Sequence, residues 1–322
     1  MLIVWGNNND TLILMKIAFF GTPIFAVQVL EELVKSKKHN VVCVVTQPDK
    51  PVGRGGKVIY TETKKFALAN NIPVVQPEKI SREVELLDLY KPDIIVTVAF
   101  GQMLRQNILD YAPHGVVNVH TSLLPAYRGS SPVQWAIMKG EKVTGVTIMQ
   151  TDIGMDTGDI ILTKEVEIGD DETSGELLVR LGCMGAELLI EALDKIENNT
   201  ATRTPQDHNK ATHFPMLKKE DGKIDWTKSA GEIVNKVRGL NPWPICYFAL
   251  GEEIIRVYKA NISDYVDKAK VGEVVRADKG GLVVQCGDGS IHLETLQASG
   301  GKVLNYKDFL NGRKIAVGAI LN

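Results

Sequence analysis

The sequence predicts an α/β domain on a mostly parallel sheet with helices on both faces, followed by a smaller β-rich domain. Three observations predict it. Over residues 1–200, short β-branched runs alternate with segments of helical periodicity. A polar stretch rich in Asn, Thr and Pro, Asn198–Pro215, then breaks the pattern. Beyond it, short strand candidates follow one another closely with turn residues between them.

The first fourteen residues, MLIVWGNNNDTLIL, carry one acid and no base, so they lack the positive region of a secretory signal. They are expected to be an N-terminal extension, with Met15 as the natural start. Lys16–Phe20 (KIAFF) reads as a strand. Thr22 can cap the following helix and Pro23 suits its first position, with Phe25, Val29, Leu30 and Leu33 on one face. Asn40–Thr46 is a β-branched run of strand length, Thr61–Asn70 a helix and Pro73–Val75 a short strand. Asp93–Ala99, Val116–His120 and Gly145–Gln150 are further strands. Thr173 and Glu176 form a capping box that opens a helix reaching about Asn198. In the back half, Ser229 and Glu232 form another, with Ile233, Val237 and Leu240 at helical spacing. Strands follow at Ile254–Ala260, Gly272–Arg276, Gly281–Cys286 and Ser290–Gln297, the last two joined through Gly287-Asp288-Gly289. A small β-barrel of the OB kind fits this run, as does a sandwich fragment. The expected boundaries are 1–14 extension, 15–200 catalytic domain, 201–215 linker and 216–322 second domain.

At 322 residues and 44% hydrophobic content, the chain can fill two packed cores. No apolar run approaches the roughly 20 residues that span a bilayer. Cys43, Cys183, Cys246 and Cys286 lie far apart with no CxxC pair, which suggests neither a zinc cluster nor a disulfide framework. A reducing, cytoplasmic setting is expected. Residues 1–200 carry 19 Lys and Arg against 25 Asp and Glu, whereas residues 201–322 carry 18 against 14. The acidic front (−6) and basic back (+4) point to different partners for each half.

The densest polar cluster is Val117–Gly129, VNVHTSLLPAYRG. Asn118 and His120 lie two apart on a predicted strand, so both point to one face near its carboxyl end, where open parallel sheets bind ligands. The backbone of Ser122-Leu123-Leu124-Pro125, just beyond, can line a pocket. Thr151–Asp159 (TDIGMDTGD) again follows a strand, and its glycines let a tight loop turn Asp156 inward. This trio suits acyl transfer to an amine. Asn donates to the oxygen that becomes negative, His stabilises it or moves protons, and a carboxylate orients the imidazole. No Ser or Cys sits in a recognisable nucleophile elbow, so direct attack by the substrate amine is expected, with no metal needed.

Asn118, His120 with SLLP, and Asp156 in a Gly-rich loop resemble the 10-formyltetrahydrofolate-dependent formyltransferases. The resemblance implies a Rossmann-like sheet, catalytic roles for Asn118, His120 and Asp156, and 10-formyltetrahydrofolate as formyl donor. It also implies a folate site at Ser122–Pro125 and at the loop Phe100, Gly101, Gln102 and Met103. One departure is Thr121, where relatives often carry Pro or Gly. FGTPIF at 20–25, TQPDKPVGRGGK at 46–57, Asp225-Trp226 and NPWP at 241–244 look like the branch acting on initiator methionyl-tRNA. The resemblance implies that the segment 47–57 is an insertion absent from the purine-pathway branch. Its Lys50, Arg54 and Lys57 sit among glycines and prolines that give it little reason to fold alone, and they are expected to meet tRNA phosphates. Trp243 of NPWP is expected to fill a packed turn.

Formylation of the methionine α-amine by a monomer is the expected function, and formylation of a small amine, such as a purine precursor or an amino sugar nucleotide, the alternative. An RNA-binding protein that keeps the fold without catalysis is disfavoured by the intact trio. GxGxxG is absent after the first strand, which disfavours a dinucleotide fold.

Overall fold

The structure is a computed structural model that describes residues 14–52, 57–265 and 269–322. The described residues open with β1 (Lys16–Gly21), α1 (Ile24–Ser36) and β2 (Asn40–Val45), then a small hairpin of β3 (Lys50–Val52) and β4 (Lys57–Ile59). Helix α2 (Glu62–Ala69), β5 (Val74–Val75), β6 (Ile94–Val98), α3 (Gln106–Leu109) and β7 (Val116–His120) follow. Next come β8 (Arg128–Gly129), α4 (Pro132–Met138), β9 (Val143–Gln150), β10 (Ile160–Glu167) and the long α5 (Ser174–Glu197).

The main sheet has the order β10-β9-β7-β6-β1-β2-β5. From β7 to β5 every pairing is parallel, while β9 and β10 add an antiparallel edge. Strand alternation separates its two faces. Ile17, Phe19, Ile94 and Val96 pack with α1, α4 and α5, whereas Ala18, Phe20, Ile95 and Val116 face α3 and nearby turns. The capping box of Thr173 and Glu176 closes in both directions and starts α5 where the sequence places it. Thr22 does not cap α1. Its hydroxyl donates to Phe100 O at 3.0 Å, the N-cap is Pro23, and no side chain caps the helix.

The stretch 198–215 is a connection, but not a loose one. Thr204 bridges Ile160, and β11 (His213–Phe214) pairs in parallel with β8. The second unit holds α6 (Ala230–Gly239), β12 (Cys246–Leu250), β13 (Glu253–Ser263), β14 (Val274–Asp278), β15 (Gly281–Gln285), β16 (Ser290–Ala298), β17 (Val303–Asn305) and α7 (Tyr306–Gly312). These strands form an antiparallel sheet, β12-β13-β16-β15-β14, with β17 beside β16. Residues 319–322 close it as a barrel rather than leaving a sandwich fragment. Ala249 of β12 exchanges bonds with Asn322, while Val274 N–H reaches Ala319 O and Leu321 N–H reaches Gly272 O.

The two units meet through α4 and α6. Trp135 and Met138 pack against the second core, and a Cβ on Gly239 would lie 2.7 Å from Met138 Cγ, so glycine permits this close crossing. The NPWP segment joins the contact: Asn241 O accepts from Ser174 Oγ and Gly175 N, at 2.8 and 3.1 Å. Trp243 is 49% exposed, so it does not fill the core as expected. The prolines shape a turn whose polar backbone, not its indole, does the docking.

Candidate active site

The loops after β1, β2, β6 and β7 converge at the carboxyl edge of the parallel strands. Phe100 O accepts both the Thr22 hydroxyl and Gln47 Nε2, the latter at 3.1 Å, which ties three loops together. Gly101, at φ 82°, supplies the turn after β6. Of the four residues expected there for folate, Phe100 is buried against Phe20, with ring centroids 5.0 Å apart. Gln102 turns away, bonding Ile80 N and Pro77 O. Gly101 and Met103 lie at the surface, and Met103, 65% exposed, presents a free apolar side chain.

Asn118 stands half-buried on β7, beside Thr97 of β6. The Thr97 hydroxyl donates to Asn118 Oδ1 at 2.9 Å, which leaves the amide N–H groups as the side Asn118 presents. His120 is buried two residues on. Its Nε2 lies 3.0 Å from Tyr127 O, and a carbonyl only accepts, so Nε2 carries the proton and Nδ1 faces Asp156 Oδ1 at 3.7 Å. That gap exceeds a hydrogen bond.

Strand β9 runs antiparallel to β7, so the loop after Gln150 leaves beside Val116, the far end of β7 from His120. To reach His120, Asp156 must come from a loop that turns back, and its own φ of 54° is part of that turn. Gly129 N–H donates to Asp156 Oδ2 at 2.8 Å. Gln206 Nε2 donates to Asp156 O and Gly158 O, at 2.9 and 2.7 Å. Sequence proximity to a strand end was therefore a misleading signal for Asp156, although the residue arrives where expected.

In SLLP, Ser122 O accepts Thr147 Oγ1 at 2.7 Å, Leu124 N donates back to Thr147 at 3.2 Å, and Ser122 Oγ donates to Ala126 O. Several backbone groups expected to line a pocket are thus engaged internally, and the turn is a rigid wall. Burial pushes the Cys43, Cys246 and Cys286 thiols up to about 12, so none of these is poised as a nucleophile.

The insertion folds at its base, contrary to the expectation that it lacks structure of its own. Strands β3 and β4 pair in register Lys50↔Ile59 to Val52↔Lys57. Asp49 anchors them through Lys64 and Gln76; burial raises its carboxyl, but these hydrogen bonds win and hold it below the usual range. Lys50 is exposed and Lys57 lies on β4, while Arg54 falls outside the described residues. Thr97, Gly129, Gln206 and Arg128 were missed as site residues. Only Arg128 and Gly129 stood within a motif singled out beforehand.

The class of protein follows from comparison with known families. The family model described as formyl transferase matches residues 15–193, and the formyl transferase C-terminal domain matches residues 216–314. Methionyl-tRNA formyltransferase of Acetivibrio thermocellus is 46% identical over 310 residues, covering 95% of this chain and 99% of the relative. That of Geobacter metallireducens is 42% identical over 306 residues, covering 94% and 97%. Among solved structures, an N-formyltransferase from Helicobacter canadensis, in complex with folinic acid and dTDP-3-aminofucose, shares the fold at 21% identity and TM-score 0.65, covering 87% of this chain and 98% of that one. A methionyl-tRNA formyltransferase from Clostridium thermocellum gives 18% and 0.54, covering 78% and 95%. The chain belongs to the methionyl-tRNA formyltransferase family.

Proposed function

We propose that this chain moves a formyl group from N10 of 10-formyltetrahydrofolate to the α-amine of methionine on initiator tRNA, releasing tetrahydrofolate. The observation that carries this reading is identity of 42–46% to relatives of that name across nearly the whole chain, second unit included. Within it, 15–200 is the catalytic domain, 201–215 the linker and 216–322 the tRNA-binding domain, with 1–14 an extension.

The amine attacks the formyl carbon and its oxygen gains negative charge. Asn118, its carbonyl held by Thr97, turns N–H toward that charge. His120, fixed by Tyr127 O, offers Nδ1 between the reacting groups and Asp156. Nδ1 takes the amine proton, the formyl C–N10 bond breaks as the oxyanion collapses, and N10 leaves carrying that proton. The wall of Ser122, Leu123, Leu124 and Pro125 and the loop Phe100–Met103 hold the folate; exposed Met103 suits its flat ring. Lys50, Arg54 and Lys57 meet tRNA phosphates from the hairpin. No described helix is long and apolar enough to cross a membrane, and we place the enzyme in the cytoplasm as a monomer, since one chain supplies every group named.

The test supplies 10-formyltetrahydrofolate with charged initiator tRNA, charged elongator tRNA, or an amino sugar nucleotide. Formylation of the initiator species alone supports the reading. Preferential transfer to the sugar would replace it with the small-amine alternative.

A further inference from the structure

We propose that Gln206, in the connection between the two units, is a positioning residue for the transfer reaction: it ties the Asp156 loop in place and is itself clamped by buried Arg128. The inference rests on the reading of Asp156 as a member of the reacting set.

The loop 151–159 needs such a tie because the sheet holds only its two ends, through Thr151 N to Val116 O at 2.7 Å and Gln150 N to Asp159 O at 2.8 Å. It departs at the wrong end of β7 and returns without a strand of its own. Its internal bonds, Thr157 Oγ1 and Gly154 N to Asp152 Oδ1, shape the turn but do not fix its distance from His120. Two anchors do. One is Gly129 N–H on the carboxylate. The other is the Gln206 amide, whose two N–H groups reach the carbonyls of Asp156 and Gly158.

The opposite side of that amide is equally committed. Gln206 Oε1 accepts from Arg128 Nε at 3.1 Å and from Nη2 at 2.6 Å, with Arg128 only 3% and Gln206 6% exposed. Arg128 Nη2 also meets His208 Nδ1 at 3.2 Å, a second contact to the connection. An amide gripped as a double donor on one side and a double acceptor on the other has one orientation and little freedom. The β8–β11 pairing places Gly129 from the same connection. A Cβ there would lie 2.3 Å from Phe214 O, so only glycine lets β11 seat this closely. Both anchors of Asp156 therefore depend on residues 206–214, and the reacting set is complete only when the connection is seated.

The test uses the full chain with Gln206→Glu. Glutamate keeps an acceptor for Arg128 but, ionised, has no N–H for the two carbonyls. Single-turnover transfer from 10-formyltetrahydrofolate to charged initiator tRNA should slow by about ten- to a hundredfold, as expected when a reacting group is displaced by around 1 Å. Folate affinity, measured by equilibrium dialysis, should stay unchanged. In an Asp156→Asn background, Gln206→Glu should add little, because it acts through the group already removed. If Gln206→Glu transfers at the wild-type rate while Asp156→Asn is slow, the tie is overturned and the reading of Asp156 survives. Losses that multiply in the double mutant would overturn it too, since Gln206 would then act elsewhere. Wild-type transfer by Asp156→Asn would instead remove Asp156 itself. Should Gln206→Glu lose its cooperative thermal transition, Arg128→Met with Gln206→Met removes charge and amide together at similar volume. The same slowing is expected there, and an unaltered rate overturns the proposal.

Discussion

At the scale of single residues, the site depends on how its polar atoms are shared out. Asn118 can aim its N–H groups because the Thr97 hydroxyl occupies Oδ1, and His120 exposes Nδ1 because Tyr127 O holds Nε2. Substituting Asn118→Ala should slow the chemical step by about 10²–10³, the usual loss for one oxyanion donor, with folate affinity retained. Near-normal single-turnover rates would remove Asn118 from the mechanism. Thr97→Val should give a smaller loss in the same step, because the amide can then rotate; an effect on folate binding alone would contradict that orientation role. Asn118 and His120 were legible because they share one strand, where two-residue spacing fixes a common face. Thr97 was not, since it meets Asn118 only across a parallel pairing that local spacing cannot reveal. Gln206 was harder still. It lies in a stretch whose composition signals connection, and its role arises from two partners distant in sequence.

Elements were read well where a local signal starts or stops them. Both capping boxes, at Thr173 and Ser229, lie at helix starts, and the hairpin at Gly287–Gly289 joins β15 to β16. Strand β10 was missed: IILTKEVE carries charges outward on an antiparallel edge, where exposed charge discourages further pairing. β12 was missed because it follows directly on NPWP, whose prolines read as a turn. Between α1 and β2, buried His39 packs by Asp194 and Glu197 of α5, which are themselves partly exposed. Nε2 lies 3.2 Å from Asp194 Oδ1, yet neither ring nitrogen makes an aligned hydrogen bond. Burial lowers the His39 pKa, outweighing the two acids that raise it. The unfolded chain, titrating normally near 6.5, then binds a proton more readily than the fold does. This contribution is whole above about pH 6.5 and is lost as pH falls toward the lowered folded value. His39→Leu should therefore flatten the loss of thermal stability between about pH 7 and 5 relative to wild type. Parallel curves for the two proteins would show that His39 does not contribute.

For the whole molecule, the charge division between halves matters less than the way they are joined. Arg238, buried on α6, donates to Gly169 O at 2.8 Å, and Asn241 O receives the start of α5. A positive second domain is thereby held to the catalytic one by backbone acceptors, which salt does not screen as it does exposed ion pairs. Formylation of charged tRNA should still weaken as salt rises, as the proposed phosphate contacts require. Arg54→Ala should weaken binding and make the slope of log affinity against log salt shallower by about one. An unchanged slope would take Arg54 out of the phosphate interface.

The closure of the barrel by residues 319–322 also bears on how the chain is made. During synthesis the catalytic unit has its sheet, its α5 and its tethered loop once residue 214 has emerged from the ribosome. The barrel must wait longer. Until residues 319–322 arrive, β12, bridged on that side only at Tyr247 by Lys223 and Ile224, and β14 each show unpaired edge groups, the surface on which strands of neighbouring nascent chains add. Deleting those four residues should prolong that exposed interval indefinitely, so the shortened chain should accumulate in the aggregated fraction during cell-free translation while wild type stays in the supernatant. Equal partitioning of the two would show that the edges are safe without their last stave.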